Sequence, residues 1–134
     1  MQIISRKAGI LVEKEEGTKV IYHIFPEFEI HYNEVPAGTK QAWHHHEVIE
    51  EVLYILSGEL EVHWKEKGKA LKQAVKVGDV VRVENIPHTF INSSNSPATF
   101  VVFRFVPDGA DKRSIIKNVK YPFFRQTVSL RYPG

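Results

Sequence analysis

Apolar residues fall on every second position through Phe28-Glu29-Ile30-His31-Tyr32-Asn33, the period of a half-buried β-strand. Leu60, Val62 and Trp64 alternate in the same way with Glu59, Glu61, His63 and Lys65. Other runs are more evenly apolar and read as strands with deeper burial: Ile10 to Val12, Val20 to Phe25, Val52 to Leu56, Val80 to Val83 and Thr99 to Val106. Turn-forming residues separate them at Gly17, Pro36-Ala37-Gly38, Ser57-Gly58, Gly68, Gly78-Asp79 and Asn95-Ser96-Pro97. Short strands at roughly ten-residue spacing predict an all-β sandwich or closed barrel. On this alternation His31 and His63 lie on polar faces and are expected in solvent, whereas His23 has no assigned face.

The pattern changes after Pro107-Asp108-Gly109. Asp111 to Asn118 predicts a short helix with Asp111 near its start. Beyond it, Tyr121-Pro122-Phe123-Phe124 and Thr127 to Tyr132 carry aromatic and apolar side chains outside the barrel pattern. The organisation expected is one domain: N-terminal strands in 1–19, a barrel core in 20–106, and a tail in 107–134 that packs on the barrel or on a dimer partner.

Length and composition narrow this picture. A chain of 134 residues holds one domain, and 43% hydrophobic with 25% charged residues is enough apolar content for one ordinary globular core. The 18 basic and 16 acidic residues are scattered and give a net charge of +2, so neither nucleic acid nor a membrane surface is an expected partner. Cysteine is absent and the start, Met1-Gln2-Ile3-Ile4-Ser5-Arg6-Lys7, places charges where a secretory signal needs an apolar stretch. The run Phe100 to Phe103 ends at Arg104, too short to span a bilayer. A cytoplasmic location is the expectation.

The candidate chemistry lies in four residues. His44 and His46 are two apart and share a face on an extended chain; Glu51 and His88 supply further ligand types. Imidazoles with one carboxylate suit a single divalent transition metal (Fe, Mn, Ni, Co, Cu or Zn) and leave positions for exchangeable ligands. No Gly-rich phosphate loop, nucleophile elbow or Cys-based zinc motif competes with this site, and the basic residues lack the interleaved aromatics of a nucleic-acid platform.

These residues also carry a family resemblance. Gly38, five residues, His44-His45-His46, four residues, Glu51, six residues and Gly58 reproduce the first motif of the cupins. The second motif is looser: Gly78 opens it and His88 with Asn92 keeps its His-x3-Asn ending, but Glu84-Asn85-Ile86-Pro87 replaces the Pro-x-Gly part and the stretch is one residue short. The resemblance covers about residues 20 to 106. It implies a jelly-roll β-barrel (double-stranded β-helix) whose mouth holds the metal through inward-pointing His44, His46, Glu51 and His88. The interval to Gly58 selects Glu51 over Glu50, leaving Glu50 on the other face for a salt bridge. His45, between two inward ligands, is expected to face away.

Arg104 interrupts an apolar strand on the face of Phe100, Val102 and Val106. It either stands outward at a subunit edge, the expected placement, or receives a substrate carboxylate or phosphate inside the barrel. Gln41, Trp43, Tyr54 and Phe90 are candidates for lining the mouth, with core packing as the alternative. Glu47 lies in the loop between ligands and is expected at the surface.

The leading functional expectation is a metal-dependent, dioxygenase-like enzyme acting on a small chelating substrate such as an enolate or diol. The alternatives are an isomerase or decarboxylase of a sugar or organic acid, which needs a proton-transfer residue, and a non-catalytic small-ligand-binding protein. The sequence does not identify a catalytic residue. A homodimer is expected, because open strand edges invite pairing and Ile3, Ile4, Tyr121, Phe123, Phe124, Leu130 and Tyr132 are more apolar surface than one small barrel needs.

Overall fold

The strands form where turn residues separate the apolar runs, and every pairing between them is antiparallel. In a computed structural model, which describes residues 1–118, the order is β1 (Ile10–Glu13), β2 (Lys19–Ile24), β3 (Phe28–Val35), β4 (Glu50–Ser57), β5 (Glu59–Glu66), β6 (Lys69–Lys76), β7 (Val80–Arg82), β8 (His88–Ile91), β9 (Ala98–Phe105) and α1 (Arg113–Asn118). One six-stranded sheet runs β1-β2-β3-β9-β4-β7, and a three-stranded sheet runs β6-β5-β8. The core lies between them. Val35, Leu53, Ile55, Ala98, Phe100 and Val102 of the first sheet meet Leu60, Val62, Val75 and Phe90 of the second. No helix among the described residues is long and apolar enough to cross a membrane.

Two residues of the cupin-like motifs act on the fold itself. Gly58 joins β4 to β5 at φ +74°, and a side chain there would meet Pro97 O at 2.6 Å and Ala98 Cα at 2.8 Å. Only glycine accepts both that backbone region and that contact. Asn92, fully buried, donates from Nδ2 to Val35 O at 3.0 Å and Ser96 O at 2.8 Å and accepts from Ser94 N at 3.0 Å. It ties the end of β8 to the end of β3 and to the turn before β9.

Several expectations need correction. β6 was not anticipated: seven of its eight residues are exposed, so it carries no burial pattern and forms by pairing with β5 along its whole length. β1 is a strand but not a buried one, since all four residues are exposed at the sheet's edge. The largest correction concerns β3. Its polar set, His31, Asn33 and then Val35, is the buried one, with His31 only 3% exposed. The expected inward residues Phe28, Ile30 and Tyr32 are half-buried on the outer face, where Phe28 packs on Phe25 and Phe103 with ring centroids 5.0 and 5.2 Å apart. α1 begins later than Asp111, but Asp111 Oδ1 accepts from Arg113 N at 2.9 Å, the role expected near a helix start. The tail residues Tyr121, Phe123, Phe124, Leu130 and Tyr132 lie outside the described residues.

Candidate metal centre

His44 and His88 are brought together by the backbone. The two residues exchange N–H···O bonds of 3.0 Å in each direction, an isolated antiparallel bridge that sets their rings 4.1 Å apart between centroids. His46 follows on the same segment, and Glu51 faces it from β4. Ligand atoms of His44, His46 and Glu51 all lie within 4.8 Å of one another. His88 falls outside that tight group of three, but its buried ring lines the same cavity.

Hydrogen bonds fix which nitrogen each ring offers. His44 Nδ1 donates to Ala42 O at 2.9 Å and His88 Nδ1 to Ile86 O at 2.6 Å. Each uses the carbonyl two residues back, leaving the Nε2 lone pair free, as in metal-bound histidines oriented by a second hydrogen bond. Nε2 of His46 and Nε2 of His88 are buried and have no hydrogen-bond partner among the described residues. His46 Nε2 is 2.9 Å from Glu51 Oε1, close enough for a hydrogen bond but without the direction of one. Burial holds the pKa of both His46 and His88 below the usual histidine value, against the opposing pull of the Glu51 carboxylate on His46 and of the Ile86 carbonyl on His88. Neutral imidazoles with free lone pairs, beside a carboxylate, fit a divalent transition ion.

The other carboxylate oxygen is already taken. Arg104 donates to Glu51 Oε2 from Nε at 3.3 Å and from Nη2 at 3.2 Å, and its Nη1 lies 3.9 Å from Glu29 Oε1. The expected outward placement of Arg104 is therefore wrong. Pairing across β3, β9 and β4 sets Glu29, Arg104 and Glu51 side by side on the inner face, and the guanidinium is occupied by two carboxylates of its own chain. Glu50 turns away, as expected. Its Oε1 accepts from Glu51 N at 3.1 Å and Glu84 N at 3.0 Å, and Oε2 from Arg82 Nε at 3.4 Å. It thereby supports Glu84 and Asn85, at φ +56° and +60°, where the second motif departs from its family pattern.

The cluster opens into a cavity of about 320 Å³ that Gln41, Phe90 and Arg104 also line. Trp43 and Tyr54 do not line it. Tyr54 is 51% exposed, on the opposite face of β4 from Glu51, Leu53 and Ile55. Trp43 is 43% exposed, with Lys65 Nζ 5.3 Å above its ring. His45 and Glu47 are exposed, and His63 pairs with Glu61 on the outer side of β5. Sequence reasoning missed His31, Asn33 and Tyr22 as cavity residues. His31 Nε2 is 2.7 Å from Glu29 Oε1, and its ring meets Tyr22 edge-on at 4.3 Å. The available signal was the set Glu29, His31, Asn33 and Val35, which alternates as regularly as the apolar set.

Comparison with known proteins identifies the arrangement. The cupin domain family matches residues 31–104. A Drosophila melanogaster CENP-C structure bound to CAL1 superposes with a TM-score of 0.67 at 17% identity, over 76% of this chain and 84% of that one. A Klebsiella pneumoniae protein with a double-stranded β-helix domain gives 0.64 at 19% identity, over 82% and 94%. The Lactobacillus farciminis oxalate decarboxylase formate complex gives 0.67 at 17% identity, over 82% of this chain and 34% of that one. At these identities the likeness establishes the jelly-roll fold alone. No curated protein sequence matches significantly.

Proposed function

This chain belongs to the cupin domain family, and from that premise we propose that it holds one divalent transition-metal ion through His44, His46, Glu51 and His88 and is an enzyme acting on a small metal-chelating organic substrate. The observation that carries the reading is the buried Nε2 of His88, left without a partner in the cavity that His44, His46 and the Glu51 carboxylate also line. A buried nitrogen with no partner costs about 1–3 kcal/mol, and coordination removes that cost. When bound, the metal supplies Lewis-acid polarisation and, if it is iron, redox chemistry with dioxygen. Arg104 fixes the orientation of Glu51, the two carbonyl-bonded histidines present their Nε2 atoms, and Phe90, Phe100, Leu53 and Val102 keep the inner wall of the cavity apolar. A dioxygenase-like activity is the first choice of reaction.

The His31–Glu29 pair favours a second reading. A buried imidazole held by a carboxylate inside the substrate cavity is equipped to move a proton, as an isomerase or decarboxylase of a sugar or organic acid requires. The two readings separate by oxygen consumption on one side and exchange of substrate hydrogen with solvent deuterium on the other.

Elemental analysis of protein purified without added metal should find one transition ion per chain. His44→Ala, His46→Ala and His88→Ala should each lose most of it, Glu51→Gln less, while His45→Ala and His63→Ala keep it. Metal-free protein that takes up no divalent ion at neutral pH would remove the reading. A homodimer is part of the same proposal, supported by β1, which pairs on one edge only among the described strands and whose Ile10 and Leu11 are 55% and 66% exposed. Light scattering should give twice the 15.4 kDa chain mass.

A further inference from the structure

Asn33 is out of place in the fold. Its neighbours across the sheet are Val20 on β2 and Phe100 on β9, with Ile55 beyond on β4. Each of these is buried and apolar, and Asn33 is itself only 5% exposed. An amide in such a rung is expected to have protein partners, yet Nδ2 has none among the described residues. Among such neighbours an apolar residue of the same size is the expected occupant. The side chain lines the same cavity as the His–Glu cluster.

Three neighbouring polar groups are already committed, while Lys14 and Glu16 also line the cavity. Gln41 Nε2 donates to Thr18 Oγ1 at 3.3 Å, His31 Nε2 faces Glu29, and Arg104 is held by Glu51 and Glu29. Among the described residues Asn33 thus offers a buried donor without a partner, and it is uncharged. We propose that Asn33 forms a second subsite of the cavity, receiving an uncharged acceptor oxygen (carbonyl, ether or hydroxyl) of a ligand whose other end chelates the metal. A carboxylate at that position would not be received by Arg104, whose guanidinium is engaged by Glu51 and Glu29. The substrate class is then a small oxygen chelator with a neutral, oxygen-bearing tail, of a size suited to about 320 Å³, the low end of small-molecule sites. This rests on the metal reading above.

The test uses three hydroxamates that share one metal-chelating group. Methoxyacetohydroxamate and butanohydroxamate differ by an ether oxygen in place of a methylene, and succinomonohydroxamate carries a charged tail. Calorimetric titration of zinc-loaded protein should give methoxyacetohydroxamate an advantage over butanohydroxamate that falls about fivefold in Asn33→Leu and in the isosteric Asn33→Asp, the effect of one neutral hydrogen bond. Succinomonohydroxamate should bind most weakly to the unmodified protein. Ligand-free Asn33→Leu should melt at or above the unmodified protein, since it removes an unpaired buried amide. An ether advantage unchanged by both substitutions, or a lower melting temperature in Asn33→Leu, overturns the subsite. Failure of all three probes to bind overturns the metal reading instead.

Discussion

The inner face of β3, β9 and β4 contains two regions built on the same strands and the same alternation. At one end Glu29, Arg104 and Glu51 form a charged rung across the three strands. Further along, Val35 faces Ala98, and Phe100 faces Ile55, all almost completely buried. Between them lie His31, Val102 and Leu53, then Asn33. Pairing register thus converts a gradient along each strand into a cavity with a charged mouth and an apolar floor. The floor stabilises the fold. The mouth holds charges that stability alone does not require, since well-packed apolar residues often replace a buried ion pair without loss.

The sharpest way to break the contrast is at the floor. Ile55→Ala should cost about 3–4 kcal/mol in urea unfolding, while the remaining folded protein keeps its metal content. Arg104→Met acts on the mouth. It leaves Glu29 and Glu51 facing each other without a cation, and should cost about 2 kcal/mol, less than a fully buried pair because Arg104 is about a third exposed. Added divalent metal should raise the melting temperature of this variant more than that of the unmodified protein, because the ion supplies the missing charge. A smaller loss, about 1–2 kcal/mol, is expected for Glu50→Ala, which removes the acceptor of two backbone N–H groups.

Acid should also act at the mouth and spare the floor. Burial lowers the pKa of His31, His46 and His88 from the usual 6.5, outweighing the Glu29 bond at His31, the Glu51 charge at His46 and the Ile86 bond at His88. The unfolded chain then takes up protons at higher pH than the folded one. Ligand-free stability from these groups is complete above about pH 6.5 and declines as pH falls toward their folded values. Melting curves between pH 7.5 and about 5 should show this slope, and His31→Gln should flatten part of it. The smallest effect expected is a gain. Asn85→Gly should stabilise by up to about 1 kcal/mol by relieving a positive φ.

Much of the site was legible because motif spacing fixes side-chain parity. The interval to Gly58 separated Glu51 from Glu50, and the structure turns the two carboxylates to opposite sides. The face of β3 was not legible. Alternation shows that two faces differ but not which one is inside. Phe28, Ile30 and Tyr32 have a cover of their own, from Phe25, Phe103 and the guanidinium of Arg6, 5.0 Å from the Tyr32 ring. The polar face could therefore turn inward. Arg104 was misplaced for the same reason: its partner Glu29 lay on the face taken to be solvent. β6 left no signal because strand pairing, and not burial, holds it.

The placement of Trp43 has a practical consequence. The chain has two tryptophans. Trp43 immediately precedes His44, and Trp64 is the cross-strand partner of His88. Each indole is thus coupled by the backbone to one of the two histidines that bridge the cluster. The protein carries an intrinsic fluorophore beside each of these two segments, and loading with a quenching ion such as copper should dim their emission without any label. Trp43→Phe and Trp64→Phe would then divide the signal between the two histidine-bearing segments, so that the order in which they engage the ion becomes visible in a stopped-flow trace.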